Sequence, residues 1–319
     1  MENEMVTIVV VQRERFSFTR EALESLYEFT TSPFQLVYVD GGSPPDIKQY
    51  LESESQQKKF RLIRKEQYLA PNVARNLGLE HVKTPYVVFI DNDVVVTKGW
   101  LDRLVQCAEE EQAWIVGPVY CIGKPEDQII HMAGGDARIH VRNNKRVFSE
   151  KHRFANKPLA SVRPNLNREP VELVEFHCLF ARTEIFKTLG PLDEQLKGTR
   201  EHIDLCLQVQ EAGGSIYFEP QSLITYVPPP PFKWADVKFY LVRWSSEWTL
   251  PTLHHFYKKW DLAETQDMDR LVEKWLKPHR RLALRPLRKI VRVLFGKRLG
   301  DWSVDSLENM IIKRSLTRA

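Results

Sequence analysis

The chain has 319 residues, of which 43% are hydrophobic and 28% charged, enough to build one large domain with an appendage or two smaller ones. A formal net charge of +4 is too small to indicate a nucleic-acid partner. Cys107, Cys121, Cys178 and Cys206 are widely spaced with no CxxC pair, which argues against a zinc knuckle or disulfide framework and for a reducing, cytoplasmic setting. No stretch reaches the roughly 18 apolar residues of a membrane span, and "MENEMVTIVVVQRER" lacks the basic n-region and long apolar run of a signal peptide.

In chain order, the β-branched run "MVTIVVV" (5–11) predicts a strand covered on both faces. A helix follows over 19–30, with Thr19 as its N-cap, then a strand over 34–40 ended by the turn "GGSPPD". "DIKQYLESES" reads as a helix and "FRLIRK" as a strand. Residues 71–83 read as a helix with Pro71 in its first turn. "YVVFID" reads as a strand and "GWLDRLVQCAEEE" as a helix. Strands alternating with helices over some 115 residues predict βαβ units and a mostly parallel sheet, with ligands bound beyond the carboxyl ends of the strands. Asp40 and Asp91–Asp93 fall at such ends.

Residues 120–170 are irregular and basic, expected as loops and edge strands over the cleft. "VELVEFHCLFART" (171–183) reads as a strand, 184–190 as a short helix stopped by Gly190, 201–214 as a helix, and "SIYFEP" as a further strand. "VPPPP" (227–231) then breaks the domain, dividing the chain into residues 1–226 and a helical, Trp-rich, basic extension over 227–319. The tryptophans of the extension are expected to pack a small core rather than stack on sugars. The stretch 276–300 interleaves nine Lys or Arg with apolar residues and has no acid, a pattern that suits a helix peripheral to the inner, anionic face of a membrane, with a solvated basic helix or a partner-binding arm as the alternatives.

Within "YVVFIDNDVVV", Asp91 and Asp93 stand two positions apart, on one side of an extended chain. Buried carboxylates are costly unless paired or bound to metal. Hard oxygen ligands at this place suit Mg²⁺ or Mn²⁺ held together with substrate phosphates. The alternative for an isolated DxD is a solvated turn.

The stretches "VTIVVV", "LVYVDGGSPPD", "APNVARNLGLEHVKTPYVVFIDNDVVVTKGWLDRL", "FARTEIFKTLGPLDEQL" and "EHIDLCLQVQEAGGSIYFEP" occur in the order found in family 2 glycosyltransferases of the GT-A fold, and the chain resembles that family over most of residues 5–225. The resemblance implies an α/β GT-A domain, Rossmann-like, with a helical C-terminal extension. It implies metal-assisted transfer of a sugar, with inversion, from a nucleoside-diphosphate sugar (a UDP-sugar) to a hydroxyl of a glycan or lipid-linked acceptor. It assigns Asp40 to the uracil or ribose, Arg75 to the base or diphosphate, Asp91 to the ribose and the metal, and Asp93 to the metal.

Three departures from the family pattern stand out. At the general-base position, where Glu-Asp is usual, "REHIDLC" offers Glu201 and His202, with Asp204 in support. Where a metal-binding His is common, "QSLITYVPPP" has Tyr226, which leaves the third protein ligand unassigned. At the first strand end Gln12 and Arg13 replace the common Thr/Pro-Tyr-Asn and are placed at the nucleotide pocket. His177 and Cys178 are read as packed strand residues rather than a metal or thiol site. A sugar-nucleotide-binding or scaffold protein that has lost catalysis is the competing reading. A nucleotidyltransferase is the weaker enzyme alternative, because no Gly-rich phosphate loop stands near the N-terminus.

Overall fold

The computed structural model describes residues 4–229, 232–263 and 272–316. Its first half is the expected alternation: β1 (Val6–Val11), α1 (Thr19–Phe29), β2 (Phe34–Gly41), α2 (Pro45–Lys58), β3 (Arg61–Lys65), α3 (Pro71–Leu79), β4 (Tyr86–Asp91), β5 (Val94–Val96) and α4 (Trp100–Glu110). There follow β6 (Ile115–Ile122), β7 (Ile129–Met132), β8 (Gly135–Arg142), β9 (Lys145–His152), α5 (Leu159–Val162), β10 (Glu169–Pro170), β11 (Cys178–Arg182), α6 (Ile185–Leu189), α7 (Glu201–Glu211) and β12 (Ile216–Tyr226). The C-terminal part is helical: α8 (Trp234–Arg243), α9 (Ser246–Lys259), a π-helical turn (Val272–Leu276), α10 (Lys277–Arg280) and α11 (Arg285–Leu316).

Ten strands form one sheet in the order β10-β12-β6-β11-β4-β1-β2-β3, with β5 added to β12 and β7 to β6. β1 lies parallel between β2 and β4, so Val11 sits opposite both Val39 and Asp91. Every residue of β1 and β4 is buried, because helices cover both faces. Gly78 lets α3 press onto β1: a Cβ there would come within 2.3 Å of Val9 Cγ1. β8 and β9 form a separate hairpin.

Several expectations change. Thr19 is the first residue of α1 rather than its N-cap, and its hydroxyl receives Asn92 Nδ2 at 3.0 Å. The strand expected over 171–183 is only Cys178–Arg182; residues 171–177 lie outside it, tied to the sheet by Val171 N to Ile216 O and by Asp91 N to His177 O, and to Gly135 by a bridge at Leu173. β6, which received no expectation over 115–119 and ends inside the region expected to be loops and edges, is a central strand, flanked by β11 and β12 and buried over seven of its eight residues. Its Gly117 and Pro118 break the propensity signal of the surrounding apolar residues.

Phe239, Phe256, Trp260 and Leu262 of the C-terminal part join the main core, whereas Val237, Tyr240, Leu241, Trp244, Leu276, Val304 and Ile312 form a second one. Buried Asp236 ties the two parts. Its Oδ1 accepts the amides of Phe16 and Ser17 at 2.8 and 3.0 Å, and its Oδ2 accepts Lys233 N at the start of α8. α11 is broken at Gly296 (φ 77°), and its two arms fold back so closely that a Cβ on Gly300 would meet the Arg292 backbone at 2.9 Å.

Candidate active site

The carboxyl ends of β2, β1 and β4 bring Asp40, Gln12 and Asp91–Asp93 side by side, as parallel pairing requires. Asp40 is fully buried and its oxygens are occupied: Oδ1 accepts Gln12 Nε2 (3.2 Å) and Ser43 N (3.1 Å), while Oδ2 accepts Ser43 Oγ (2.7 Å) and Arg64. Gln12 is used in turn, its Oε1 accepting Gly41 N at 2.8 Å. Burial pushes the Asp40 carboxyl upward against these hydrogen bonds. Asn92 works as a staple. Its Oδ1 accepts Arg13 N, and its Nδ2 donates to Arg15 O at 2.7 Å, locking residues 13–19 onto the end of β4.

Asp91 and Asp93 are 1% and 0% exposed, deeper than a carboxylate pair leaving the core for an open cleft. Asp91 is compensated: Arg75 Nη2 donates to Oδ1 at 3.3 Å, and Arg13 Nη1 lies 3.5 Å from Oδ2. Burial opposes ionisation, but contact with His177 and the charges of Arg13 and Arg75 hold Asp91 below the usual carboxylate range. Arg75 also donates Nη1 to Asn72 Oδ1 and lies 3.8 Å over the Phe176 ring, while its buried Nε has no hydrogen-bond partner among the described residues. It therefore buttresses Asp91.

Asp93 is the opposite case. Among the described residues neither of its buried oxygens has a hydrogen-bond partner, and burial, then Asp91 and Glu14, push its carboxyl well up. His177, 1% exposed, places Nδ1 3.1 Å from Asp91 Oδ2, outside hydrogen-bond geometry, and stacks on Tyr226 with ring centroids 4.1 Å apart. Burial, followed by Arg13, lowers His177 to about 4, so its imidazole is neutral at pH 7. The ligand atoms of Asp91, Asp93 and His177 lie within 4.8 Å of one another. Two carboxylates and a neutral imidazole, with the Asp93 oxygens unpartnered, fit a divalent cation such as Mn²⁺.

His177 lies just before β11, its carbonyl still accepting Asp91 N at 3.3 Å, and its ring stands beside Tyr226, the position where the family pattern led one to look for a histidine. The signal was present in "EFHCLF", one imidazole in an apolar run, but a strand reading hid it. Tyr226 is held by Glu14, whose Oε2 accepts its hydroxyl at 2.5 Å.

In front of this cluster lies a cavity of about 580 Å³, lined by Arg13, His177 and Tyr226 on one side and by Glu201 and His202 on another. Tyr240, Trp244, Trp275 and His279 from the C-terminal helices close it. Asp91 and Asp93 sit behind this lining, reached through Arg13 and His177. Glu201 opens α7 after Arg200, which adopts a left-handed φ of 69°, and its Oε1 lies 3.8 Å from Arg243 Nη2. His202 presents an Nε2 with no hydrogen-bond partner, 4.0 Å from Glu175 Oε1, and burial lowers its pKa despite the neighbouring carboxylates. Asp204 points away from the cavity, where it accepts Trp260 Nε1 (2.9 Å), Lys259 Nζ (2.8 Å) and Gln208 Nε2 (2.7 Å). It anchors α9 to α7. Of the tryptophans expected in a small core, Trp244, Trp248 and Trp260 are buried, whereas Trp234 and Trp302 are 72% and 67% exposed.

The fold and this constellation define a GT-A, nucleotide-diphospho-sugar transferase-like protein. The model of Glycosyl transferase family 2 matches residues 7–187, and the chain belongs to that family. Among curated relatives it is similar to the pre-mycofactocin glycosyltransferase of Mycobacterium tuberculosis, 24% identical over 226 residues, which cover 69% of this chain and 42% of that one. The uncharacterized glycosyltransferase EpsJ of Bacillus subtilis is 28% identical over 114 residues, covering 35% and 33% of the two chains. The chain thus spans less than half the length of these relatives. Among solved structures, GalNAc-T7 with UDP, GalNAc and Mn²⁺ superposes with a TM-score of 0.55 at 16% identity, over 92% of this chain and 58% of that one, a likeness of fold.

Proposed function

We propose that the chain is a glycosyltransferase that moves a sugar, with inversion, from a nucleoside-diphosphate sugar, a UDP-sugar, to a hydroxyl of a glycan or lipid-linked acceptor. The observation that carries this reading is the unpartnered, fully buried carboxylate of Asp93 beside Asp91 and His177, at the carboxyl end of β4 in a family 2 domain. Asp93, Asp91 and His177 would hold Mn²⁺ or Mg²⁺. When bound, the cation neutralises charge on the leaving diphosphate. Arg75 fixes Asp91, Gln12 and Asp40 form the nucleotide side, and the Glu201–His202 pair takes the proton of the acceptor hydroxyl in the cavity, the lowered pKa of His202 leaving its imidazole free to accept it.

The C-terminal unit, residues 227–319, closes the acceptor side and carries the enzyme to the cytoplasmic face of an anionic membrane. No described helix is long and apolar enough to cross one. Support for surface contact comes from the break in α11: Ile290, Val293, Leu294, Phe295, Leu299 and Trp302 are 51–86% exposed around it, beside exposed Lys289, Lys297 and Arg298.

The test is calorimetry of UDP and a panel of nucleotide sugars with Mn²⁺ or Mg²⁺, followed by donor hydrolysis and transfer. Asp93→Ala is expected to abolish metal-dependent binding. His202→Ala or Glu201→Gln, whichever removes the base, is expected to cost roughly 10²–10⁴-fold in transfer with donor affinity kept. Unchanged Mn²⁺-dependent affinity in Asp93→Ala overturns the metal assignment. The deep burial of Asp91 and Asp93 supports a second reading, a sugar-nucleotide-binding protein without catalysis, which predicts tight binding and no turnover of any donor.

A further inference from the structure

A second convergence of ligating groups lies in the cavity wall. Glu175, 6% exposed, stands among imidazoles from separate parts of the chain: His131 on β7, His152 on β9, His177 on its own segment and His202 on α7. His131 Nε2 is 3.0 Å from Glu175 Oε2 and His152 Nε2 is 3.7 Å from Oε1, and the ligand atoms of these three residues lie within 4.8 Å of one another. Neither contact settles the hydrogen bonding, since Glu175 Oε2 remains buried without a partner, as does His202 Nε2 beside it. Unsatisfied polar atoms at a convergence of donors are what a cation removes.

We propose that His131, His152 and Glu175 form a second metal site, distinct from the Asp91–Asp93–His177 cluster, that takes a borderline transition-metal cation of the Zn²⁺ class. Two imidazoles and one carboxylate are a donor set suited to Zn²⁺ and leave a coordination position open. The position faces the cavity, since His131, His152 and Glu175 all line it, and the side chains of His131 and His152 are 26% and 22% exposed, which gives the ion an entry path. Glu150, whose Oε2 pairs with Arg200, shares a hydrogen bond with His152 Nε2 through Oε1 at 2.9 Å, a bond the cation would replace, and puts another carboxylate at the edge of the site. His177 stands between the two clusters, with Nδ1 toward Asp91 and Nε2 3.9 Å from Glu175 Oε2, so the sites are neighbours with separate ligand sets. The cation would clamp the β8–β9 hairpin to segment 171–177 and place a Lewis-acidic centre where an acceptor oxygen or water completes its coordination.

The experiment is titration of the metal-stripped full chain with Co²⁺, whose visible d–d bands report four-coordinate nitrogen–oxygen sites, with Zn²⁺ as competitor. Expected is one Co²⁺ with such bands, displaced by one Zn²⁺, both in wild type and in Asp93→Asn, in which the nucleotide-linked site is disabled. The double variant His131→Ala/His152→Ala is expected to lose the bands, and Glu175→Gln to weaken binding by roughly tenfold or more. If the double variant does not fold in metal-free form, His131→Gln replaces it, with the same roughly tenfold loss expected. Bands absent in Asp93→Asn, or retained at full affinity when the histidines are changed, overturn the proposal. Loss of Mn²⁺-dependent UDP binding in Asp93→Asn with the Co²⁺ bands intact would separate this site from the donor reading.

Discussion

At the end of β4, Asp91 and Asp93 are 1% and 0% exposed, and neither oxygen of Asp93 has a donor. In the C-terminal helical hairpin Glu308 is equally buried, yet Arg288 Nη2 donates to its Oε1 at 2.7 Å and to Asp305 Oδ1 at 2.7 Å, and Arg292 grips Asp301 at 2.7 and 2.9 Å. Both regions take charge out of water, which costs several kcal/mol per ion. The hairpin compensates internally and so gains a defined helix–helix register. The β4 end leaves one carboxylate uncompensated, which is tolerable where a ligand supplies the missing charge. The hairpin pairs also consume much of the positive charge that the sequence offered to a membrane: Arg280, Arg281, Arg288 and Arg292 face Glu308, Asp305 and Asp301. What remains outward is apolar side chains with Arg285, Lys289, Lys297 and Arg298.

The comparison is most easily broken at Arg288. Arg288→Met takes the hydrogen bond from Glu308 Oε1 and leaves the buried carboxylate only Arg280, 3.3 Å from its Oε2, and is expected to destabilise the hairpin by up to about 3–5 kcal/mol, read by urea unfolding and by hydrogen exchange over 285–316. Adding Glu308→Leu should recover most of that loss; if it does not, the ion pairs are not what organises the hairpin. On the other side, His177→Ala should weaken Mn²⁺ binding by roughly tenfold or more, measured by calorimetry with UDP present. A full-affinity variant would remove His177 from the ligand set.

A smaller effect separates the regions in stability alone. Asp93→Asn removes a carboxyl crowded by Asp91 and Glu14, so the metal-free protein should be unchanged or up to about 2 kcal/mol more stable. A clear loss in thermal melting would mean that Asp93 is structurally compensated after all. Replacing Val293, Phe295 and Trp302 by Ser should weaken binding to anionic vesicles by roughly 1 kcal/mol per side chain, taking half-burial of each, with nucleotide binding unchanged. Equal vesicle binding would discard the hairpin as the membrane contact.

The smallest effect is in acid. Hydrogen bonds from Arg292 and Arg288 lower Asp301 to about 2. Its stabilising share is complete above the unfolded value near 3.9 and is lost as pH falls from there toward 2. Exchange protection around Gly296 should decline over that window and before that of β1 and β4. Simultaneous loss would show the hairpin to be as acid-resistant as the sheet.

Much of the fold was legible because its signals are local. "VTIVVV" and "YVVFID" are β-branched or aromatic runs that fit a doubly covered strand, and the turn and helix signals between them fall within a few residues. β6 was missed for an equally local reason, Gly117 and Pro118 in the midst of its apolar residues. Of the site, motif order pointed to Asp40, Asp91, Asp93, Glu201 and His202 as candidates with Asp204 in support; Arg75, expected near the base or diphosphate, donates to Asp91, and Asp204 holds Trp260.

The sequence by itself determined the alternation of strands and helices, the strand ends where carboxylates emerge, the short motifs that mark the family and the basic–apolar character of 276–300. Periodicity and turn chemistry act over a handful of residues and need no knowledge of the rest of the chain. Tertiary structure alone decided which side chains meet. His177 reaches Asp91 because β11 runs antiparallel beside β4, and His131, His152 and Glu175 converge from a strand, a hairpin and the segment before β11. Asp236 reaches back 220 residues to the amide of Phe16. Such contacts follow from the closing of the sheet and the docking of the helices, and no spacing along the chain encodes them, because their energy comes from burial shared by elements far apart in sequence.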